Sequence, residues 1–265
     1  MTGDQVMQLE LGGMRVIVTA AGAGIGRATA RMFADAGARV WICDIDTDAL
    51  SAVTQHERIS GSVADVGDTA SVDRFMSAAI ADLGGIDVLV NNAGIAGPAG
   101  LVEELDPEQV TETLDVDVTS MFRTSRYAIP LMKAQGSGLV VNISSTAGYL
   151  GFPYRSPYAA AKWAVIGLTK TMAMELGEFG VRANVVCPGS ITGPRMDHVI
   201  DLEARASGRP HDQIRAGFER QVSMRTFIEP DEIAQTICFL ASPLGAKISG
   251  QVLSVDGHTE TLRTW

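Results

Sequence analysis

The chain has 265 residues, of which 46% are hydrophobic and 20% are charged. This is an ordinary globular composition, and the length suffices for a complete hydrophobic core. The net charge of −10 argues against binding to nucleic acid or to an anionic membrane surface, because both need clustered Lys and Arg. No stretch has the pattern of a signal peptide or of a membrane span. We therefore expect a cytoplasmic protein.

Short β-branched runs alternate with longer helix-like segments from residue 14 onward. Strands are predicted at 14–19, 38–44, 58–63, 86–91, 138–144, 181–187 and 251–255. Helices are predicted at 24–36, 68–83, 106–133, 157–178 and 230–241. Seven apolar strands joined by helices indicate a doubly wound α/β fold, with a seven-stranded parallel sheet of the Rossmann type and helices on both faces.

Residues 1–265 are predicted to form a single domain, because no linker, low-complexity tract or internal repeat divides the chain. The segment 193–228 interrupts the alternation, since it is polar and poorly periodic. A long insertion late in an α/β domain is typical of a lid or specificity element over the strand ends. We expect this segment to be a substrate lid.

Three cysteines, Cys43, Cys187 and Cys238, each lie in an apolar run. An odd number of widely spaced cysteines predicts buried thiols, and neither a disulfide framework nor a metal site. His198 and His211, in the insertion, are too isolated to indicate a metal site, and we expect them at the surface or against a substrate.

A glycine-rich loop joins the first predicted strand to the first predicted helix, with the sequence TAAGAGIG at 19–26. Glycine lets the backbone turn tightly and approach a pyrophosphate, which accepts hydrogen bonds from amides at a helix N-terminus. Because this loop lies between a strand and a helix, it predicts a dinucleotide site. Its candidate binding residues are Gly22, Gly24, Ile25 and Gly26.

Asp44 ends the second predicted strand, about 20 residues beyond the glycine loop, where a carboxylate accepts hydrogen bonds from an adenosine ribose. The same carboxylate would repel a 2′-phosphate, and the loop contains no arginine before Arg27. This arrangement favours NAD over NADP. The alternative interpretation is a solvated acid at the end of a strand.

Tyr158 and Lys162 stand four positions apart in a predicted helix, so they share one helix face. The pKa of free tyrosine is about 10, but a nearby ammonium and an oxidised nicotinamide stabilise the phenolate, so that such a tyrosine acts as a base near neutrality. Ser144 and Ser145 follow the strand at 138–144 and therefore lie at its carboxyl end, where open α/β sheets bind ligands. A serine there can donate a hydrogen bond to a substrate oxygen.

With these motifs in this order, the chain resembles the short-chain dehydrogenase/reductase family over nearly its whole length, in the single-domain subgroup of roughly 250 residues. The residues that carry the resemblance are TAAGAGIG at 19–26, Asp65, NNAG at 91–94, Ser145, Tyr158 with Lys162, Pro188-Gly189 with Thr192, ISGQ at 248–251 and VDG at 255–257. The resemblance implies hydride transfer between NAD and a small secondary alcohol or ketone. It also implies a homotetramer, and apolar residues spread all round the segment 157–176 agree with burial on more than one side.

The resemblance implies a role for each matching residue. Tyr158 would exchange the alcohol proton, Ser145 would stabilise the developing oxyanion, and Lys162 would both lower the pKa of Tyr158 and hold the nicotinamide ribose. Ser145 is chosen over Ser144 because the family's serine stands thirteen positions before the tyrosine. The other implied cofactor contacts are Asp65 and Val66 at the adenine, Asn92, Ala93 and Gly94 beside the central strand, Pro188 and Gly189, and Ile191 and Thr192 at the carboxamide.

Two residues depart from the family pattern. Ala20 stands where the first glycine of the loop is usual, and we expect nucleotide binding to survive. Asp117 stands where the family has a catalytic asparagine that shapes a helix irregularity and a proton relay. A carboxylate keeps the acceptor side of that amide, but it lacks the N–H donors and adds charge. Either the irregularity persists or Asp117 pairs with Lys162, and we expect an active enzyme.

Two other classes of function remain for comparison. A catalytically impaired NAD-binding or regulatory protein would keep the fold, and the joint presence of Ser145, Tyr158 and Lys162 argues against it. A serine hydrolase would need a Gly-x-Ser-x-Gly elbow, which the chain lacks. An NAD-dependent oxidoreductase is therefore the leading hypothesis.

Overall fold

The computed structural model describes residues 9–262, apart from the side chains of 195, 202, 203, 206 and 207. Within this range the strands are β1 (Arg15–Val18), β2 (Arg39–Asp44), β3 (Ile59–Val63), β4 (Val88–Asn91), β5 (Gly138–Ile143), β6 (Val181–Pro188) and β7 (Val252–Val255). The α-helices are α1 (Gly24–Asp35), α2 (Thr47–Val53), α3 (Thr69–Leu83), α4 (Pro107–Leu114), α5 (Ser120–Gln135), α6 (Ser156–Leu176), α7 (Pro194–Ser207), α8 (His211–Arg220) and α9 (Pro230–Ala241).

The seven strands form one parallel sheet in the order β3-β2-β1-β4-β5-β6-β7. Side chains alternate across it: Val16 and Val18 join the core beneath α1 and α9, whereas Ile17 joins the core beneath α3 and α5. The inner strands are therefore buried on both sides, which requires their apolar sequences, whereas the edge strands β3 and β7 are partly exposed. The predicted Rossmann-type fold with helices on both faces is confirmed.

Four polar side chains form a hydrogen-bonded chain within this core. Asn91 Nδ2 donates to Asn142 Oδ1 at 2.8 Å, joining β4 to β5. Thr124 of α5 donates to Asn91 Oδ1 at 2.7 Å, and Asn142 Nδ2 donates to Thr169 of α6 at 2.9 Å. Because a buried amide needs partners, these bonds determine how α5 and α6 sit on the strands that end at the site.

Three helix predictions need correction. The prediction omits α2, whose seven residues are too few to show a period; Asp46 caps it by accepting from the amides of Asp48 and Ala49. The helix predicted at 106–133 is divided, because a π-helical turn at Asp115–Thr119 separates α4 from α5. The helix predicted from 157 begins at Ser156 and ends at Leu176, before a 3₁₀ turn.

The insertion at 193–228 is also more regular than predicted, because it contains helices α7 and α8. Ile200 of α7 meets Ile214 and Phe218 of α8, and Phe227 completes this small core. The sequence pattern does not predict these two helices, because their few apolar residues stand among charged residues. The helix pair has only a small core, and its role as a substrate lid stays a prediction.

All three cysteines are free and buried. Burial raises the pKa of Cys43 and of Cys238 to about 12, and that of Cys187 to about 11, so the thiols stay neutral. In residues 9–262 no group of His, Cys, Asp and Glu has the arrangement of a metal site. Nor does any helix there combine the length and apolar character needed to cross a membrane.

Asp256, just after β7, joins two loops that border the strand ends. Its carboxylate accepts from the Tyr149 hydroxyl at 2.9 Å and from the amides of His258 and Thr259. Its burial raises the carboxyl pKa, but these hydrogen bonds lower it by more, so the net shift is downward. Asp256 is therefore a charged residue that holds these two loops together behind the site.

We expect Asp256→Ala to lower the free energy of unfolding by about 1–3 kcal/mol at pH 7, because three donors, one buried and two partly buried, lose their acceptor. A depressed native pKa stabilises the protein above the unfolded value of about 3.9, and this contribution is lost as pH falls through the native pKa. The difference between the two proteins should therefore shrink below about pH 4 in urea unfolding. A difference independent of pH would contradict this, and Tyr149→Phe, which removes one donor, should show a smaller loss.

Candidate active site

The predicted site residues lie at one edge of the sheet. Because all strands are parallel, their carboxyl ends share this edge, and the loops after β1, β2, β4, β5 and β6 all emerge there. The chain order reverses between β1 and β4, which are neighbours in the sheet. Ligands of open α/β sheets bind at such a switch point.

The glycine loop after β1 is closely packed against the loop after β4. Asn92 Nδ2 donates to the carbonyl oxygens of Thr19 and Ala20 at 3.0 and 2.9 Å. A Cβ on Gly26 would lie 2.4 Å from the Ala20 oxygen and 2.6 Å from Asn92 Nδ2. Only glycine therefore fits at position 26.

The loop leads into the N-terminus of α1, whose N-cap residue is Ala23. Alanine has no side-chain acceptor, so the amides of the first turn are left to solvent or to a ligand. Ala20 has a φ of +51°, a left-handed conformation in which glycine is usual. Alanine at position 20 therefore keeps the turn but adds local backbone strain of about 1–2 kcal/mol.

Asp44 holds the opposite side of the same loop. Its Oδ2 accepts from the Gly22 amide at 2.8 Å, and its Oδ1 accepts from the Asp46 amide at 3.0 Å. A carboxylate has about four acceptor positions, so further donors can bind. The carboxylate at the end of β2 is therefore fixed and faces the nucleotide loop.

Thr19 is a site residue that the motif analysis quoted without a role. Its hydroxyl oxygen accepts from the amides of Asn92 and Ala93, both at 3.0 Å. This single buried hydroxyl joins the ends of β1 and β4. A threonine that ends a strand beside a glycine loop was the available sequence signal.

The loop after β5 contains both serines. Ser145 is half-buried, and its hydroxyl oxygen accepts from the Ala147 amide at 3.1 Å. Ser144 is buried, and its hydroxyl donates to the carbonyl oxygen of Lys162 at 2.8 Å. Ser144 therefore anchors α6 to the end of β5, while Ser145 remains partly accessible.

Gly148 permits this contact between the β5 loop and α6. A Cβ there would lie 2.4 Å from Ser144 Oγ and 2.8 Å from the Lys162 carbonyl oxygen. The sequence around Gly148 contains no motif that marks this glycine. Glycine is required at this position because the β5 loop and α6 approach closely in the fold. This approach is not evident from the sequence.

Tyr158 and Lys162 occupy successive turns of α6, as predicted. The Lys162 ammonium lies 5.4 Å from the centroid of the Tyr158 ring. The ring is half-buried, whereas the Lys162 residue is only 3% exposed. The pair thus places a phenol at the surface of the site, with a cation behind it.

Asp117 lies in the π-helical turn and is fully buried. Its Oδ1 accepts from the Ile95 amide at 2.7 Å, and its Oδ2 lies 3.1 Å from the Lys162 nitrogen. The Asp117 carboxylate and the Lys162 ammonium form an ion pair, but their angle is not that of a hydrogen bond. Oδ2 therefore has no hydrogen-bond partner in the described part of the chain. Both anticipated outcomes are therefore present, since the helix irregularity persists and Asp117 pairs with Lys162.

Asp65 and Val66 follow β3. Asp65 is exposed and accepts from the Gly67 amide at 2.8 Å. Val66 is buried, and its carbonyl oxygen accepts from Arg123, which also pairs with Asp115 at 2.7 Å. Both residues follow β3 at the carboxyl edge of the sheet, and their contact with an adenine stays a prediction.

The segment after β6 is held by neighbouring loops. Pro188 ends β6, and a Cβ on Gly189 would lie 2.9 Å from Asp256. Ile191 forms an isolated bridge with Ile228. The Thr192 hydroxyl donates to Glu229 at 2.5 Å, so its oxygen keeps only its acceptor positions for a ligand.

An apolar cavity of about 460 Å³ lies between the loop after β4 and the loop before α6. The residues that line it include Leu101 and Val102 from the loop after β4, and Phe152, Pro153 and Tyr154 from the loop before α6. Leu101 and Tyr154 are about half exposed. The cavity can therefore receive hydrocarbon parts of a ligand.

The sheet order and the glycine loop at its switch point define a Rossmann-type α/β protein. A family model described as Enoyl-(Acyl carrier protein) reductase matches residues 19–258. The chain is 34% identical to the D-beta-hydroxybutyrate dehydrogenase of Cupriavidus necator, over 93% of this chain and 98% of that protein.

Solved structures agree with the sequence matches. The actinorhodin polyketide ketoreductase with NADPH has a TM-score of 0.88 and 29% identity, over 92% of this chain and 96% of that one. The NAD+-bound xylitol dehydrogenase has a TM-score of 0.88 and 28% identity, over 94% and 99%. The chain belongs to the short-chain dehydrogenase/reductase family and is an oxidoreductase.

Proposed function

We propose that the protein transfers a hydride between NAD and a secondary alcohol or ketone. The observation that carries this proposal is the Tyr158–Lys162 pair on α6, anchored by Ser144 beside the half-exposed Ser145. The matched relatives include a hydroxybutyrate dehydrogenase and a xylitol dehydrogenase. Their substrates contain secondary alcohols, which is the chemistry that a tyrosine base serves.

The residues present fit a dinucleotide. A backbone without a Cβ at Gly26, uncapped amides at the start of α1 and the fixed Asp44 carboxylate provide a cradle, donors and a ribose acceptor. When bound, the nicotinamide ring supplies the hydride acceptor or donor. We assign its binding to Gly22, Gly24, Ile25, Gly26, Asp44, Asp65, Val66, Asn92, Ala93, Gly94, Tyr158, Lys162, Pro188, Gly189, Ile191 and Thr192.

The side chains divide the acid–base work. Tyr158 removes the hydroxyl proton of the alcohol, while Ser145 donates a hydrogen bond to the same oxygen. Lys162 stabilises the tyrosinate by its positive charge. In the oxidative direction the alcohol loses one hydride and one proton, so a ketone, the reduced cofactor and H⁺ are formed.

A turnover assay tests the function directly. NAD-linked absorbance would be followed with secondary alcohols, polyols, steroids and hydroxy acids, and the apolar cavity favours substrates with a hydrocarbon portion. We expect turnover with at least one of these classes. Tight nucleotide binding without any turnover would instead support the alternative, a catalytically impaired NAD-binding or regulatory protein.

We expect NAD to have a higher kcat/KM than NADP by at least about tenfold, because the Asp44 carboxylate repels a 2′-phosphate. Asp44→Asn should reduce this preference. The matched control is Asp48→Asn, which removes an exposed acid from the next helix and should leave the preference unchanged. A wild-type protein that prefers NADP would overturn the assignment.

We also propose a homotetramer, in which α6 contributes to an interface. One face of α6 contacts β6, while the opposite face exposes Trp163 (54%) and Met174 (87%) three turns apart, with Gly167 between them. A small residue between apolar side chains permits close helix packing. Light scattering should show a mass of four chains, and Trp163→Glu should dissociate it; a wild-type monomer at micromolar concentration would contradict the proposal.

A further inference from the structure

The buried pair of Asp117 and Lys162 has no net charge. Asp117 is 0% exposed, the Lys162 side chain is 4% exposed, and their charged atoms lie 3.1 Å apart. A Cβ on Gly94 would lie 3.0 Å from the Lys162 nitrogen and 3.3 Å from Asp117 Oδ1. The pair therefore lies directly against the loop after β4, within the proposed nucleotide site.

An asparagine at position 117 would change this balance. It could keep the hydrogen bond from the Ile95 amide, but it would leave the Lys162 ammonium as an uncompensated buried cation. Solvent does not screen charges at this depth as it does at the surface. Every ligand state in the site would then experience one additional positive charge.

The two redox states of a nicotinamide differ in charge, because the oxidised ring is a cation and the reduced ring is neutral. Building on the proposed function, we propose that Asp117 is a positioning residue that offsets part of the charge of Lys162 and thereby makes the site favour the oxidised nucleotide. Asp117 Oδ2 lies 3.1 Å from the Lys162 nitrogen and accepts no hydrogen bond in the described part of the chain, so its interaction with Lys162 is one of opposite charges. The carboxylate thus raises the fraction of the protein that holds the oxidised nucleotide when both forms compete for the site.

The test measures the dissociation constants of NAD⁺ and NADH separately, by calorimetry and by nucleotide fluorescence. For Asp117→Asn we expect the ratio Kd(NAD⁺)/Kd(NADH) to rise about tenfold, because an added positive charge opposes binding of the cationic oxidised ring more than binding of the neutral reduced ring. The control is Glu112→Gln, which removes an exposed acid from α4 and should leave the ratio within about twofold. A purely structural role would weaken both nucleotides equally and leave the ratio unchanged, and that result overturns the inference.

Two further variants keep the test decisive. Asp117→Ser is neutral and leaves room for a water beside the ammonium, so it should raise the ratio even if Asp117→Asn does not fold. The double variant Asp117→Asn/Lys162→Met removes both charges, and its ratio should return to within about threefold of the wild type although both affinities fall. A ratio that stays high in the double variant contradicts the charge argument, whereas a wild-type protein that binds neither nucleotide refutes the proposed function itself.

Discussion

Tyr158→Phe is expected to lower kcat by about 10²–10⁴-fold, the usual contribution of a positioned acid–base group. Only the ionisable hydroxyl is removed, and the ring keeps its place beside Lys162 and Arg155. The dissociation constant for NAD should therefore change by less than about threefold. Steady-state kinetics and nucleotide titration on the same preparation provide both measurements.

The matched control is Tyr127→Phe on α5, where the hydroxyl contacts Arg126 outside the site. It should retain wild-type kcat. If Tyr158→Phe kept more than about a tenth of the activity, Tyr158 would not be the acid–base group. If both variants lost activity equally, the loss would reflect general damage from removing a phenol.

Gly26→Ala is expected to have the largest effect on the nucleotide site. The added methyl group would lie 2.4 Å from the Ala20 oxygen, 2.8 Å from the Ala21 Cα and 2.6 Å from Asn92 Nδ2. Two of these atoms belong to the backbone, so the loop must move. We expect the free energy of unfolding to fall by about 3 kcal/mol, at the upper end of the usual range for overpacking.

Displacement of the loop also separates it from Asn92, which holds the ends of β1 and β4 together. NAD affinity should therefore fall together with stability, as measured by nucleotide titration and by urea unfolding. Gly177→Ala is the matched control, because a Cβ there meets nothing within 4 Å. Its stability should stay within about 0.5 kcal/mol of the wild type, and equal losses in the two variants would show that close packing at Gly26 is not the cause.

Much of the site could be predicted because its residues follow consecutive strands. Parallel strands bring their carboxyl ends to one edge, so Asp44, Asn92 and Ser145 were placed together by order alone. The spacing of four residues between Tyr158 and Lys162 likewise predicted that both side chains share one helix face. Their roles in catalysis and binding remain proposals.

The contacts behind these residues could not be predicted, because they join segments distant in sequence. Asn91 and Asn142 are 51 positions apart, and Ser144 reaches a carbonyl 18 positions away. An amide within an apolar strand signals a buried hydrogen bond, but it does not identify the partner. The π-helical turn could be expected only from the family resemblance at Asp117, because α4, the turn and α5 continue one helix-like pattern.

The seven-stranded Rossmann architecture and the family could be predicted from the sequence, because strand and helix periods and the order of motifs can be read along the chain. The tertiary structure was needed to show that Asp117, 45 positions before Lys162, lies 3.1 Å from its nitrogen. It also decided that the insertion forms two helices with a core of their own. The strength of an electrostatic interaction depends on the distance between the two charges. The order of residues in the sequence does not specify that distance.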